Sequence, residues 1–188
     1  MKKALLFTTL ISIPSILFAN EFEGQLTELA NTQVRELVSS PKVIEAVEVQ
    51  NQRNAPLSQS DIDNLDQQWR AEVSSADQPL ISKVLGNPLS AYLMSAQEKS
   101  DGLYTEIFIM DNKGLNVGQS SVTSDYWQGD EAKWQQTFLK GSGAIYVGDV
   151  EEDESTQTFQ SQISYTISDP KTGEAIGAIT VGVNIDQM

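Results

Sequence analysis

The sequence predicts an α+β fold in which a long N-terminal helix and several shorter helices pack on one antiparallel sheet. Two patterns carry this. Apolar residues recur at a roughly 3.6-residue period up to about residue 100, and from Leu103 they alternate as in strands. The order of helices first and consecutive strands afterwards separates this class from an alternating parallel α/β chain.

The first element is preceded by Lys2-Lys3 and an apolar run from Ala4 to Phe18, broken by Pro14 and ending at Ala19-Asn20. A basic start, a short apolar stretch and a small residue before a polar sequence read as a secretory signal peptide over residues 1–19. The run is shorter than the roughly 20 apolar residues needed to span a bilayer. A single domain is expected over 20–188, helical over 20–100 and sheet-forming over 103–186. From Glu21, Leu26, Leu29, Leu37 and Val38, then Ile44 and Val47, mark a long helix, a joint at Ser40-Pro41 and a second segment to about Gln52. Asn54-Ala55-Pro56 breaks the helical pattern. Ser58 and Asp61 have capping-box spacing before a short helix striped by Ile62, Leu65 and Trp69. Asp77 is placed to cap a helix over Pro79–Leu85, and Asn87-Pro88 opens another through Leu89, Leu93 and Met94.

Leu103–Met110 then reads as a central strand, Asp111–Gly114 as a tight turn and Leu115–Gln119 as the returning strand. Ser120–Gly129 is a loop, and Asp130 can cap a short helix through Ala132, Trp134 and Phe138. A third strand is expected over Gly141–Val150, followed by an acidic loop at Glu151–Glu154. Thr156–Ser168 and Ala175–Asp186 make the closing hairpin, giving five strands. On its last strand, Ile179, Val181, Val183 and Ile185 share one face. Ala178, Thr180, Gly182 and Asn184 share the other, whose small residues admit either a closely packed element or a ligand.

Composition narrows the chemistry. The chain has 188 residues, 26 acidic against 12 basic, with no His and no Cys. Histidine-based triads, thiol nucleophiles, disulfides and the commonest zinc ligands are therefore absent. A net charge of −14 opposes nucleic acid or an anionic membrane surface as partner. Loss of residues 1–19 removes Lys2, Lys3 and no acid, which takes the charge to −16. No pair of acids is marked for hydrolysis, no cofactor motif is present, and Asp61–Asp66 lacks the Gly and distal Glu of a calcium loop. The inventory suits binding rather than catalysis. Tyr126, Trp127 and Trp134 are dense for a loop and first helical turn; they either wall a pocket or form a small core that pins the loop. Asp149 stands apart from the acidic run because strand alternation aims it inward. Asp130, Lys133 and Met110 complete the candidate ligand contacts.

The segments "LYTEIFIMDNKGLNVG", "YWQGDEAKWQQTF" and "ISDPKTGEAIGAITVGVNID" together resemble a single Cache domain, one of the PAS-like extracellular sensor domains of bacterial histidine kinases, chemoreceptors and cyclic-di-GMP enzymes. The resemblance covers roughly residues 21–186. It implies a five- to six-stranded antiparallel PAS-like sheet flanked by the N-terminal helix, with a ligand pocket between the sheet and the loops after the second strand. Trp134 resembles the helix-start Trp of the family pocket, and Asp149 the strand-borne acid that binds a ligand amine. The Arg that holds an α-carboxylate in the family is replaced here by Ala132, with Lys133 beside it. The resemblance implies a small-molecule ligand, whether an amine, an amino-acid-like molecule or a small carboxylate. It also implies a periplasmic location without stable membrane insertion after cleavage. Because the sequence ends after the last strand, output is expected through a separate inner-membrane histidine kinase, chemoreceptor or diguanylate cyclase. The alternative is a structural subunit of such a complex with no ligand of its own.

Overall fold

The computed structural model describes residues 21–153 and 158–188. The signal-peptide reading of 1–19 and Glu154 of the acidic run lie outside the described residues. The N-terminal helix consists of α1 (Glu23–Leu29) and α2 (Arg35–Val38), joined by a π-helical turn at Ala30–Val34. Its buried stripe is Leu26, Ala30, Val34 and Val38, while Leu29 and Leu37 are only half-buried. That stripe repeats every four residues. An α-helix would rotate it out of register, and the wider winding of the π turn holds it on the sheet.

Pro41 begins α3 (Pro41–Asn54), which buries Val43, Val47, Gln50 and Asn54 and so runs slightly past the expected end. The capping box is present at α4 (Gln59–Val73): Ser58 Oγ accepts from Asp61 N, and Asp61 Oδ2 accepts from Ser58 N at 2.8 Å. The Ser58 hydroxyl, donating to Asp61 Oδ2 at 2.6 Å, and the Ser58 N–H together hold the Asp61 carboxyl below its usual range. Asp77 does not cap α5 (Pro79–Leu85). The buried Glu72 does so from the preceding helix, its Oε2 accepting from Leu80 N at 2.8 Å and Ile81 N at 2.9 Å. Asn87 caps α6 (Pro88–Glu98) by accepting from Ser90 N. Among the described residues no helix is long and apolar enough to cross a membrane.

The sheet holds β1 (Tyr104–Met110), β2 (Asn116–Gln119), β3 (Ile145–Val147), β4 (Glu151–Asp153), β5 (Thr158–Ser168) and β6 (Ala175–Asn184). Every pairing is antiparallel, in the order β2-β1-β6-β5-β3, with β4 also on β5. Among the described residues there are thus six strands rather than five. The expected third strand over 141–150 is only three residues long, because Gly141 and Gly143 turn with φ of +97° and +77°. The segment expected as an acidic loop instead contains β4, paired with the long β5.

One face of the sheet carries Ile107, Ile109, Ile163, Ile179 and Val181 against α1, α2, α3 and α6, and this is the main core. A second core joins Ile62, Trp69, Ile81, Val84, Leu115 and Tyr126 at the end of the sheet where β1 turns into β2. The opposite face buries Phe108, Met110 and Ala178 under Trp134, with Phe138 packed alongside.

The β1–β2 turn is fastened by Asp111, which is fully buried. Its Oδ1 accepts from Lys113 N at 2.8 Å and Leu115 N at 3.0 Å. Its Oδ2 accepts from Gln50 Nε2 at 3.1 Å and Asn54 Nδ2 at 2.8 Å, both on α3. Gly114 takes φ +82° and lies so close to Gly129 that a Cβ there would strike its backbone. Asp111→Asn turns one acceptor into a donor facing donors, and is expected to cost about 2–4 kcal/mol in urea denaturation. An unchanged midpoint would show that the turn holds without this carboxylate.

Candidate functional site

Trp134 lies in α7 (Ala132–Gln135), a single turn. Its ring stacks on Phe138 at 4.9 Å, and its Nε1 donates to Asp111 O at 3.1 Å, which fixes α7 against the end of β1. Asp130 does not cap this helix: Glu131 occupies the N-cap position, and no side-chain cap bond is formed. Met110 is fully buried beneath Trp134. Trp134 therefore anchors α7 to the sheet, with Met110 packed beneath it.

Beside α7, the rest of this sheet face is polar. Gln160, Gln162, Ser164 and Thr166 alternate along β5, and Thr180 of β6 shares a 2.9 Å hydrogen bond with Ser164. A cavity of about 300 Å³ opens between this strip and α7. Lys133 and Glu131 border it from the α7 side, Tyr146 and Asp149 from β3 and the chain beyond it, Gln160 and Gln162 from β5. Lys133 Nζ pairs with Glu131 Oε2 at 2.9 Å and lies 5.4 Å from the Phe108 ring centroid. Asp149 and Lys133 thus line the same cavity. Asp149 is exposed at its mouth rather than turned inward, because β3 ends at Val147 and the alternation ends with it.

The two β5 glutamines have fixed orientations. Gln162 Nε2 donates to Glu106 Oε1 at 2.9 Å, and Gln160 Oε1 accepts from Thr105 Oγ1 at 2.9 Å. With Glu151 also on the lining, three carboxylates face one ammonium. This arrangement can hold a small polar molecule carrying a positive charge, through carboxylate ion pairs and amide hydrogen bonds. It offers no activated nucleophile. Among the described residues no Asp and Glu cluster is arranged to hold a metal ion.

Tyr126 and Trp127 lie in the second core instead. Tyr126 stacks on Trp69 at 5.3 Å, and burial pushes its hydroxyl up to about 12. The backbone N–H groups of Tyr126 and Trp127 both donate to Asp66 Oδ1, at 2.9 and 3.0 Å. Trp127 Nε1 donates to Lys113 O, and Trp69 Nε1 to Thr123 O. Arg70 bridges Asp66 and Asp125 at 2.7 and 2.8 Å. The loop is strapped to α4 by Asp66, Trp69 and Arg70, with Tyr126 stacked on Trp69 and the Trp127 indole tied to the β1–β2 turn. The small face of β6 is likewise filled at both ends, by Trp134 over Ala178 and by Thr105 and Glu106 against Gly182. Sequence reasoning passed over Tyr146, Gln160 and Gln162. The period-two polar alternation of β5 was the signal that could have found the two glutamines.

Asp66→Ala removes the acceptor for two loop amides. Hydrogen exchange at Tyr126 and Trp127 N–H is expected to accelerate at least tenfold, with β5 and β6 amides unchanged. Persistently slow exchange at both would show that the loop is held by other contacts.

No protein-family model and no curated protein matches the sequence. Among solved structures, the sensor domain of the Vibrio cholerae histidine kinase DctB is similar at 13% identity and a TM-score of 0.38, covering 88% of this chain and 58% of that one. The sensory domain of the Campylobacter jejuni chemoreceptor Tlp3 with isoleucine bound is similar at 13% identity and a TM-score of 0.38, covering 86% and 63%. The ligand-binding domain of the Pseudomonas aeruginosa PAO1 amino acid chemoreceptor PctC, in complex with GABA, is similar at 12% identity and a TM-score of 0.42, covering 85% and 62%. The chain therefore spans roughly three fifths of the length of these chains.

Proposed function

We propose that this chain is an exported, non-catalytic sensor domain of single-Cache type that binds a small amine-bearing molecule in the periplasm. Its output would pass to a separate membrane receptor, such as a histidine kinase, chemoreceptor or diguanylate cyclase. The observation that carries this reading is the polar cavity between α7 and β5, bordered by Asp149, Gln160 and Gln162 and richer in carboxylates than in cations. An excess of acceptors favours an ammonium group over a free carboxylate, since Lys133 already has Glu131 as partner. A small carboxylate would have to displace Glu131 from Lys133. Trp134 and Met110 contribute by holding α7 in place rather than by touching the ligand.

Thermal-shift screening of small amines, amino acids and carboxylates, followed by calorimetry, tests this. A ligand at about 100 times its Kd stabilises by about 2.7 kcal/mol, or about 5–10 °C for a chain of this size. Asp149→Asn and Gln162→Ala are each expected to weaken an amine ligand at least tenfold. If the best ligand binds both variants as tightly as the parent, the cavity is not its site.

The strapped 120–129 loop favours a second reading, a rigid interaction subunit that needs no ligand. Capture of a membrane sensor with equal affinity in the presence and absence of amines would support it.

A further inference from the structure

On the face of the sheet opposite α7, a groove of about 410 Å³ runs between α3 and α6. Lys42, Glu45, Ala46, Val49 and Arg53 lie along its α3 wall, at the spacing of one helical face, so two cations stand there against one carboxylate. Pro88 and Leu89 form the α6 wall, and Val117 of β2 lines it from the sheet. Leu89 and Val117 belong to the main core, yet Val49 above them is 56% exposed. The groove is therefore apolar inside and open to solvent.

Its α3 wall ends in a cation that is oriented but makes no direct ion pair among the described residues. Arg53 Nη2 donates to Gln50 Oε1 at 2.7 Å, and Arg53 Nε donates to Asn54 Oδ1 at 3.4 Å. Gln50 and Asn54 are 4% and 6% exposed, and each gives its amide N–H to Asp111 Oδ2. Asp111 thereby turns both amide oxygens toward the guanidinium. Among the described residues no carboxylate forms an ion pair with Arg53; those present are Arg70 with Asp66 and Asp125, and Lys133 with Glu131. Of the five guanidinium N–H donors, those not given to the amides remain for an anion. In so acidic a chain, a fixed and unpaired guanidinium beside an apolar groove selects a negative head group on an apolar body.

We propose that the α3–α6 groove binds a small amphipathic carboxylate, its head group on Arg53 and its chain between Val49 and Leu89. Lys42 lies eleven residues from Arg53, about 16 Å along the helix. An extended medium-chain body therefore fits within the wall. This site is separate from the α7–β5 cavity and makes the opposite charge selection.

Titration of the labelled protein with octanoate, followed by amide chemical shifts, tests the assignment. Saturable shifts are expected on α3, the start of α6 and β2. Octanamide, of the same length without the charge, is expected to bind at least tenfold more weakly. Arg53→Gln, an exposed position, should weaken octanoate at least tenfold without lowering the melting temperature, and Val49→Asp should do the same. Asp149→Asn should leave octanoate binding unchanged. Equal affinity for octanoate and octanamide, unchanged affinity in Arg53→Gln, shifts confined to the α7–β5 cavity, or no saturable shift would each overturn the proposal.

Discussion

A buried carboxylate with four donors holds this molecule together. Asp111 closes the β1–β2 turn through Lys113 N and Leu115 N and draws α3 onto that turn through Gln50 and Asn54. Its backbone oxygen also receives the Trp134 indole from the other face. An ionised carboxylate is costly to bury unless its lone pairs are filled, and here they are filled from two separate segments. The positions of α3, the turn and α7 are consequently tied to one side chain.

The two faces of the sheet are put to different uses. The main core fills one face with Ile and Val from β1, β5 and β6, and α3 and α6 leave a groove at its margin. The other face has a small apolar patch at the α7 end and a polar strip along β5. Charge divides in the same way. Carboxylates predominate around the α7–β5 cavity, whereas the end of the α3 wall presents a guanidinium with no acid paired to it. Alternation along β5 sets the polar lining of one cavity, whereas side chains of α3 and α6 line the other.

The aromatic segment after β2 illustrates what sequence density can and cannot decide. Tyr126, Trp127 and Trp134 lie within nine residues, yet they enter two different cores. Asp66, sixty residues before Tyr126, takes the two loop amides and assigns the first pair to the α4 side. Nothing local to 126–134 encodes that contact. Similarly, Glu72 displaces Asp77 as the acceptor at the start of α5, because a helix packed alongside can present a carboxylate to the bare N–H groups.

The sequence by itself determined the α+β class, the capping box at Ser58 and Asp61, the Asn87 cap, the Asp111–Gly114 turn and the closing hairpin. Each depends on residues within a few positions of one another, where backbone geometry and periodicity act directly. Only the tertiary structure decided that β4 exists, that Tyr126 and Trp127 sit in a loop strapped to α4, and that Gln160 and Gln162 face the cavity with Lys133. It likewise decided that Arg53 is held by amides rather than acids. The loop strap and the cavity rest on contacts between residues tens of positions apart, selected by the register of β5 on β6 and by the packing of α4. The amides that hold Arg53 belong to its own helix and are oriented by the distant Asp111. Local pattern fixes what an element is, while its partners fix what its side chains are for.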